Sequence, residues 1–271
     1  MYQGFYDLAS GMLTQRRNLN NISNNMTNLQ TAGYKKDTLV SSSFREEMLL
    51  RTGRHNKENP TELAVTSKIN SAARTYTDYE QGSFDMTDGS FDFALSGRGF
   101  FAIETAAGTR YTRNGAFSLD REGYLELAGI GRVLGEDGQP IRLPDESFSA
   151  ASDGRLLRVK QRTQDGTEGE ESDTEEEENE DIVLGRLRIV DFADYTALHK
   201  EDNGIFSTEQ AAVAPPAGTQ LQWKMLERSN VDMVQEMTSM MSSQRALQSA
   251  AQMLKMYDSV LSRASTEVGR L

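Results

Sequence analysis

Cysteine is absent from all 271 residues, which excludes disulfides and thiolate metal sites and leaves the chain indifferent to the redox state of its surroundings. No stretch approaches the roughly 18 consecutive apolar residues that a membrane-spanning helix needs. Basic clusters with interleaved aromatics are missing too, so nucleic-acid binding has no electrostatic support. Histidine occurs twice, as His55 and His199, in no metal-binding spacing, and both are expected in loops or at the surface. No serine sits in a Gly-x-Ser-x-Gly elbow. The first residues, Met1-Tyr2-Gln3-Gly4-Phe5, carry no basic stretch followed by an apolar run, so a cleaved secretory signal is not expected there.

What the chain does have is 37% hydrophobic and 26% charged residues, enough to fold. The net charge of −12 is local: 11 acidic residues and no basic ones lie between Asp165 and Asp181, and without them the rest is almost neutral. Like charges at that density predict a disordered, solvated insert near residues 163–182. It lacks a glycine-anchored twelve-residue loop closed by glutamate, so calcium is not expected. Gly129-x-Gly131-x-x-x-Gly135 lacks dinucleotide spacing and is read as a turn. No cofactor, metal or catalytic residue is assigned.

Both ends carry helical seams. Phe5, Leu8, Met12, Gln15, Leu19, Ile22, Met26 and Leu29 alternate in steps of three and four, and seven of the eight are apolar. Gly33 is suited to ending that helix in a left-handed conformation, with Lys35 and Lys36 beyond it. At the other end Met233, Met237, Met240, Gln244, Leu247, Ala251, Leu254, Asp258, Leu261, Ser265 and Val268 keep the same steps. Ser229 with Asp232 suggests a capping box at that helix's start. Asn18, Asn21, Asn25 and Asn28, with Asn20 and Asn24, form a polar stripe beside the first seam. It is either a solvated face or a hydrogen-bonding surface between subunits. Seven of the twelve methionines fall between Met225 and Met256, suited either to an ordinary core stripe or to packing on neighbours of differing shape.

The middle changes character. Short alternating runs separated by glycine turns predict an all-β region, with Asn114-Gly115 as a hairpin signal between Arg110-Tyr111-Thr112 and Ala116-Phe117-Ser118-Leu119. Later strands are expected at Val183–Phe192 and Leu221–Met225. The expected fold class is α+β: long N- and C-terminal helices pairing as an antiparallel coiled coil and flanking an all-β middle domain. The expected divisions are 1–33 with 229–271 as the helical part, 34–74 as a connecting segment and 75–228 as the β-rich domain.

The run from Leu8, LASGMLTQRRNLNNISNNMTNLQTAGYKK, closely resembles the signature of flagellar axial proteins, the rod and hook subunits. Its family-like positions include Met12, Leu19, Ile22, Asn24, Asn25, Asn28, Gly33 and Tyr34. LERSNVDMVQEM, from Leu226, is similar to the family's C-terminal signature, with Glu227, Ser229, Asn230 and Val231 at its core. In between, SGRGFF (Gly97, Gly99, Phe100, Phe101), YTRNGAF (Tyr111, Arg113, Gly115, Phe117) and VLGEDGQPI resemble the family's shared β-domain motifs. Length and a single modest β domain fit a rod protein better than the larger hook protein. The resemblance implies a non-enzymatic subunit that leaves the cytoplasm through the flagellar type III export apparatus. It would assemble outside the cytoplasmic membrane with itself and other axial proteins into a hollow, torque-transmitting rod, without nucleic acid or a small-molecule substrate. Its assembly interface is expected at Leu8, Met12, Leu19, Ile22, Asn24, Asn25, Met26, Asn28, Leu29, Gly33, Tyr34, Glu227, Ser229, Asn230, Val231, Met237, Met240, Leu247, Leu254 and Leu261. The competing reading is a β-rich adhesin-like or cation-binding module on a coiled-coil stalk.

Overall fold

The structure, a computed structural model, describes residues 2–51, 61–144, 148–158 and 182–269. His55 and the acidic insert lie outside the described residues. The chain divides into two compact units: residues 1–29, 36–79 and 231–271 form the first, and residues 30–35 and 80–230 the second.

The first unit contains two helices, α1 (Tyr2–Thr27) and α2 (Met233–Val268), and a long antiparallel hairpin, β1 (Asp37–Arg51) with β2 (Thr61–Thr77). Asparagines fasten α1 to the hairpin. The Asn21 and Asn25 Nδ2 groups both donate to the Asp37 carbonyl at 2.8 Å, and the Asp37 amide donates to Asn25 Oδ1 at 3.0 Å. A carboxamide can meet a backbone N–H and C=O together, as a partner strand would. That accounts for asparagine at a position only 1% exposed.

The expected antiparallel coiled coil is not what the structure shows. The helices touch, with Asn18 Nδ2 donating to Ser243 Oγ at 3.0 Å, yet no apolar seam closes between them. Met233 and Met237 are 50% and 45% exposed, and α2 buries Glu236 and Ser243 instead, each one residue before an expected seam position. The cause is charge: the Lys36 ammonium lies 2.8 Å from the Glu236 carboxylate and fixes that face inward. On α1 only Ile22 of the expected seam is fully buried. The cap of α2 also differs. The Asp232 carboxylate accepts from the Val234 and Gln235 amides (2.8 and 3.2 Å), so Asp232 rather than Ser229 supplies the side-chain cap.

The second unit is β-rich. Its largest sheet centres on strand Phe100–Thr105, paired with Gly108–Thr112 on one side and Gly131–Val133 on the other. Residues along this strand face alternately. Phe101 and Ile103 enter a core with Phe93, Leu95, Phe117, Leu125, Val133, Phe148 and Leu156. Phe100 points the other way, into a second aromatic group with Phe192 and Phe206, at ring separations of 5.9 and 5.4 Å. The Asn114-Gly115 hairpin does not form. Gly108–Thr112 pairs with Phe100–Thr105 and Ile205–Ser207, whereas Ser118–Leu119 pairs with Leu125–Leu127. Gly115 is needed for close approach: a Cβ there would meet the Phe93 carbonyl oxygen at 1.7 Å.

Candidate functional site

Within the second unit, three stretches remote in sequence, 33–35, 80–82 and 227–230, meet at one carboxylate. Strand Met225–Glu227 pairs with Phe84–Met86 and delivers Glu227 to the interior, where its side chain is fully buried. One carboxylate oxygen accepts from Lys35 Nζ at 2.6 Å and from the Gly82 amide at 3.1 Å; the other accepts from Arg113 Nη1 at 3.2 Å. The Glu227 carbonyl accepts from the Gly33 amide at 2.7 Å.

Both cations are satisfied further. Lys35 Nζ also donates to the Glu80 carbonyl at 2.7 Å, which in turn accepts from Asn230 Nδ2 at 3.2 Å. Arg113 donates to the Leu95 and Gly97 carbonyls, and its guanidinium lies 5.6 Å from the centre of the Phe100 ring. Its Nε is buried without a hydrogen-bond partner. Burial pushes the Arg113 guanidinium below its usual pKa, and the Glu227 charge opposes that shift. Two buried cations on one carboxylate are tolerable because backbone carbonyls take up most of the remaining donors.

Gly33 adopts φ +68°, and a Cβ there would lie 2.3 Å from the Arg113 carbonyl carbon. Its left-handed conformation was expected, but α1 ends at Thr27, so the glycine serves close backbone approach and not the helix end. Tyr34 is buried beneath Lys200, whose Nζ is 3.7 Å from the ring centre and donates to the Lys35 carbonyl at 2.7 Å.

The signature residues therefore fall into two sets. Gly33, Tyr34, Glu227 and Asn230 join Gly97, Phe100 and Arg113 in or beside this buried cluster; Tyr111 packs on Phe192, Gly99 lies against Ile189 and Gly115 against the Phe93 carbonyl, while Phe101 and Phe117 belong to the main core. Apart from Ser229, the first unit holds the rest. There Ile22, Asn25 and Val231 are buried; Leu8, Met12, Leu19, Met26, Asn28, Leu29, Met240, Leu247, Leu254 and Leu261 are half-buried; and Asn24 and Met237 are exposed. Ser229 is half-buried in the second unit. Sequence reasoning missed Lys35, Gln81 and Gly82 as parts of the cluster. Gln81 bridges it to the glycine turn, donating from Nε2 to the Leu95 carbonyl and accepting from the Gly97 amide. Among the described residues no group of three or more His, Cys, Asp or Glu could hold a metal ion, and no helix is long and apolar enough to cross a membrane. His199 is exposed at the start of a short strand.

Two family models match parts of the chain: the flagellar hook protein FlgE/F/G D1 domain over residues 94–157, which includes Arg113, and the flagellar basal body rod FlgEFG protein C-terminal region over residues 224–267, which includes Glu227. The chain is 30% identical to the flagellar basal-body rod protein FlgG of Bacillus subtilis, covering 96% of this chain and 97% of that protein. It is 30% identical to the flagellar basal-body rod protein FlgF of Caulobacter vibrioides, over 98% of each. With the flagellar hook-basal body complex protein FlhO of Bacillus subtilis it shares 25% identity across the whole of both chains. Similarity of this extent, running through the buried cluster and both terminal helices, shows that the chain belongs to the flagellar basal-body rod protein family.

Proposed function

We propose that this structural rod subunit assembles by burying, on neighbouring axial subunits, the apolar surface that its terminal helices leave open. One observation carries the reading. On α2, Met233, Val234, Met237 and Met241 near its start and Met253, Met256 and Val260 further along are each 45% or more exposed, two groups of apolar side chains rather than single scattered ones, as at an interaction surface. Methionine suits contacts with non-identical neighbours because its side chain adapts to differing shapes. Contacts of one surface with a different surface on the next copy, where the rotation does not close on a ring, generate a helical tube able to carry torque. The reading includes export through the flagellar type III apparatus and assembly outside the cytoplasmic membrane, and assigns no catalytic residue or small-molecule substrate. The relatives' names speak for a rod component and give the adhesin-like alternative no support.

The test is Met241→Asp, at a position 51% exposed. The isolated chain should keep its stability within about 0.5 kcal/mol, as surface substitutions do. Cells carrying it should not swim, and their basal bodies should lack the rod segment in electron micrographs. Lys255→Asp, also exposed, is the polar control and should leave both intact. Normal rods and swimming with Met241→Asp would refute the reading.

A further inference from the structure

Sulfur in this chain is all thioether, because cysteine is absent. Among the methionines whose exposure is described, two kinds stand apart. Met12, Met26, Met225 and Met240 are half-buried. Met233 (50%), Met237 (45%), Met241 (51%), Met253 (52%) and Met256 (67%) are exposed on α2, and Met86 (78%) is exposed on the short strand Phe84–Met86 of the second unit. On α2 the spacing repeats. Met233, Met237 and Met241 are four apart, and Met253 and Met256 are three apart, so each group lines one side of the helix. An oxidant reaches such a thioether without any opening of the fold.

We propose that these five methionines of α2 are a modification site at which hydrogen peroxide decides whether a subunit can assemble. The inference rests on the assembly reading above and names a way of regulating that same surface. The step is a two-electron oxygen transfer from peroxide to sulfur. A sulfur lone pair attacks one peroxide oxygen, and the S–O bond forms as the O–O bond breaks. The proton of the transferred oxygen passes to the departing one, and water leaves. The thioether is oxidised to a sulfoxide, which turns a flexible apolar side chain into a polar one. Its oxygen accepts hydrogen bonds and donates none. On the free chain water satisfies it, so the helix survives. Beneath a neighbouring subunit that water is lost and the oxygen goes unpaired, so the penalty falls on assembly and not on the fold. Met86 is the internal control, as open to peroxide as the five but off the assembling helix.

The experiment follows the native chain in cells given a brief pulse of hydrogen peroxide, weak enough that most modified chains carry a single sulfoxide, and then washed. Peptide mapping by mass spectrometry compares the unassembled pool with basal bodies built after the wash. Sulfoxide at the five α2 positions should be at least about tenfold scarcer in the new basal bodies than in the pool. Sulfoxide at Met86 should pass into them undiminished. In the purified chain, the five should oxidise faster than Met225 and Met240. Equal sulfoxide fractions on α2 in pool and new basal bodies, equal depletion at Met86, or oxidation of the five no faster than Met240 each overturns the inference. Basal bodies isolated before any pulse and then treated with peroxide report on the assembly reading separately, because in them the five should be protected. Protection there alongside any of those failures leaves the assembly reading standing, whereas oxidation as fast as in the free chain overturns both.

Discussion

The two units solve the problem of apolar surface in opposite ways. Of the 26 fully buried hydrophobic residues described, 24 belong to the second unit and only Ile22 and Val231 to the first. Of the 17 exposed large hydrophobics, 13 belong to the first. The β-rich unit has an interior of its own, with phenylalanine rings in contact and a charge cluster whose hydrogen bonds are nearly complete. Among its described residues the helical unit is held instead by carboxamides, the Lys36–Glu236 ion pair and a cap, and it leaves Met233, Met237, Met241, Met253 and Met256 exposed. One unit has an interior of its own; the other leaves apolar surface that the proposed assembly would cover. That contrast is what a polymerising subunit needs, because a surface satisfied within its own chain has nothing left to offer a neighbour.

The contrast can be broken from the side of the finished unit. Glu227→Ala leaves Lys35 and Arg113 buried without a counter-charge, and should cost the β-rich unit about 3–5 kcal/mol in denaturant unfolding. A loss below about 1 kcal/mol would mean that the two cations are satisfied without the carboxylate. A smaller effect sharpens the comparison from the other side. In the dilute purified chain, backbone amides of α1 and α2 should exchange with solvent faster than those of strand Phe100–Thr105, and limited proteolysis should trim from both ends towards residues 30–230. Helices as protected as that strand would show that the first unit is as complete as the second. The smallest effect is electrostatic and confined to the surface. Asp120 is held below the usual carboxylate pKa, first by the Glu122 amide and then by Arg132. A depressed folded value means that its contribution is present above the unfolded pKa and is lost as pH falls through the folded one. The melting difference between the native chain and Asp120→Asn should therefore shrink as pH drops from about 6 towards about 3. A difference constant across that range would show that the carboxylate's charge does not matter.

How much of this could be read from sequence depended on range. Periodicity located both helices, because a seam repeats within a few residues. It did not settle which face turns inward on α2, since that is decided by Lys36 drawing in Glu236, a residue 200 positions away. The same limit explains Asn114-Gly115. The dipeptide has hairpin chemistry, but the strands on either side take different partners, and Gly115 is required by the backbone of Phe93. The asparagine stripe was visible as a pattern, and the structure divides it by position. Asn18, Asn21 and Asn25 are spent inside the unit, while Asn20 and Asn24 are exposed. The resemblance carried Glu227 and Arg113 as motif residues, yet nothing local marks Lys35 as their buried partner, because lysine is ordinarily a surface residue.

The Lys35–Glu227 pair also constrains the order of events during folding. It joins residues 192 apart, and closing so long a loop in an otherwise unfolded chain costs entropy that a single ion pair cannot return. The intervening β-rich region must condense first and bring the two ends within reach, as is usual for contacts of high sequence separation. Until residue 227 is available the knot has no carboxylate at its centre, and its two cations have no reason to leave water. A chain that emerges end first from a narrow channel would thus stay open at the segments flanking its β-rich region until nearly all of it has passed, and would lock only on arrival.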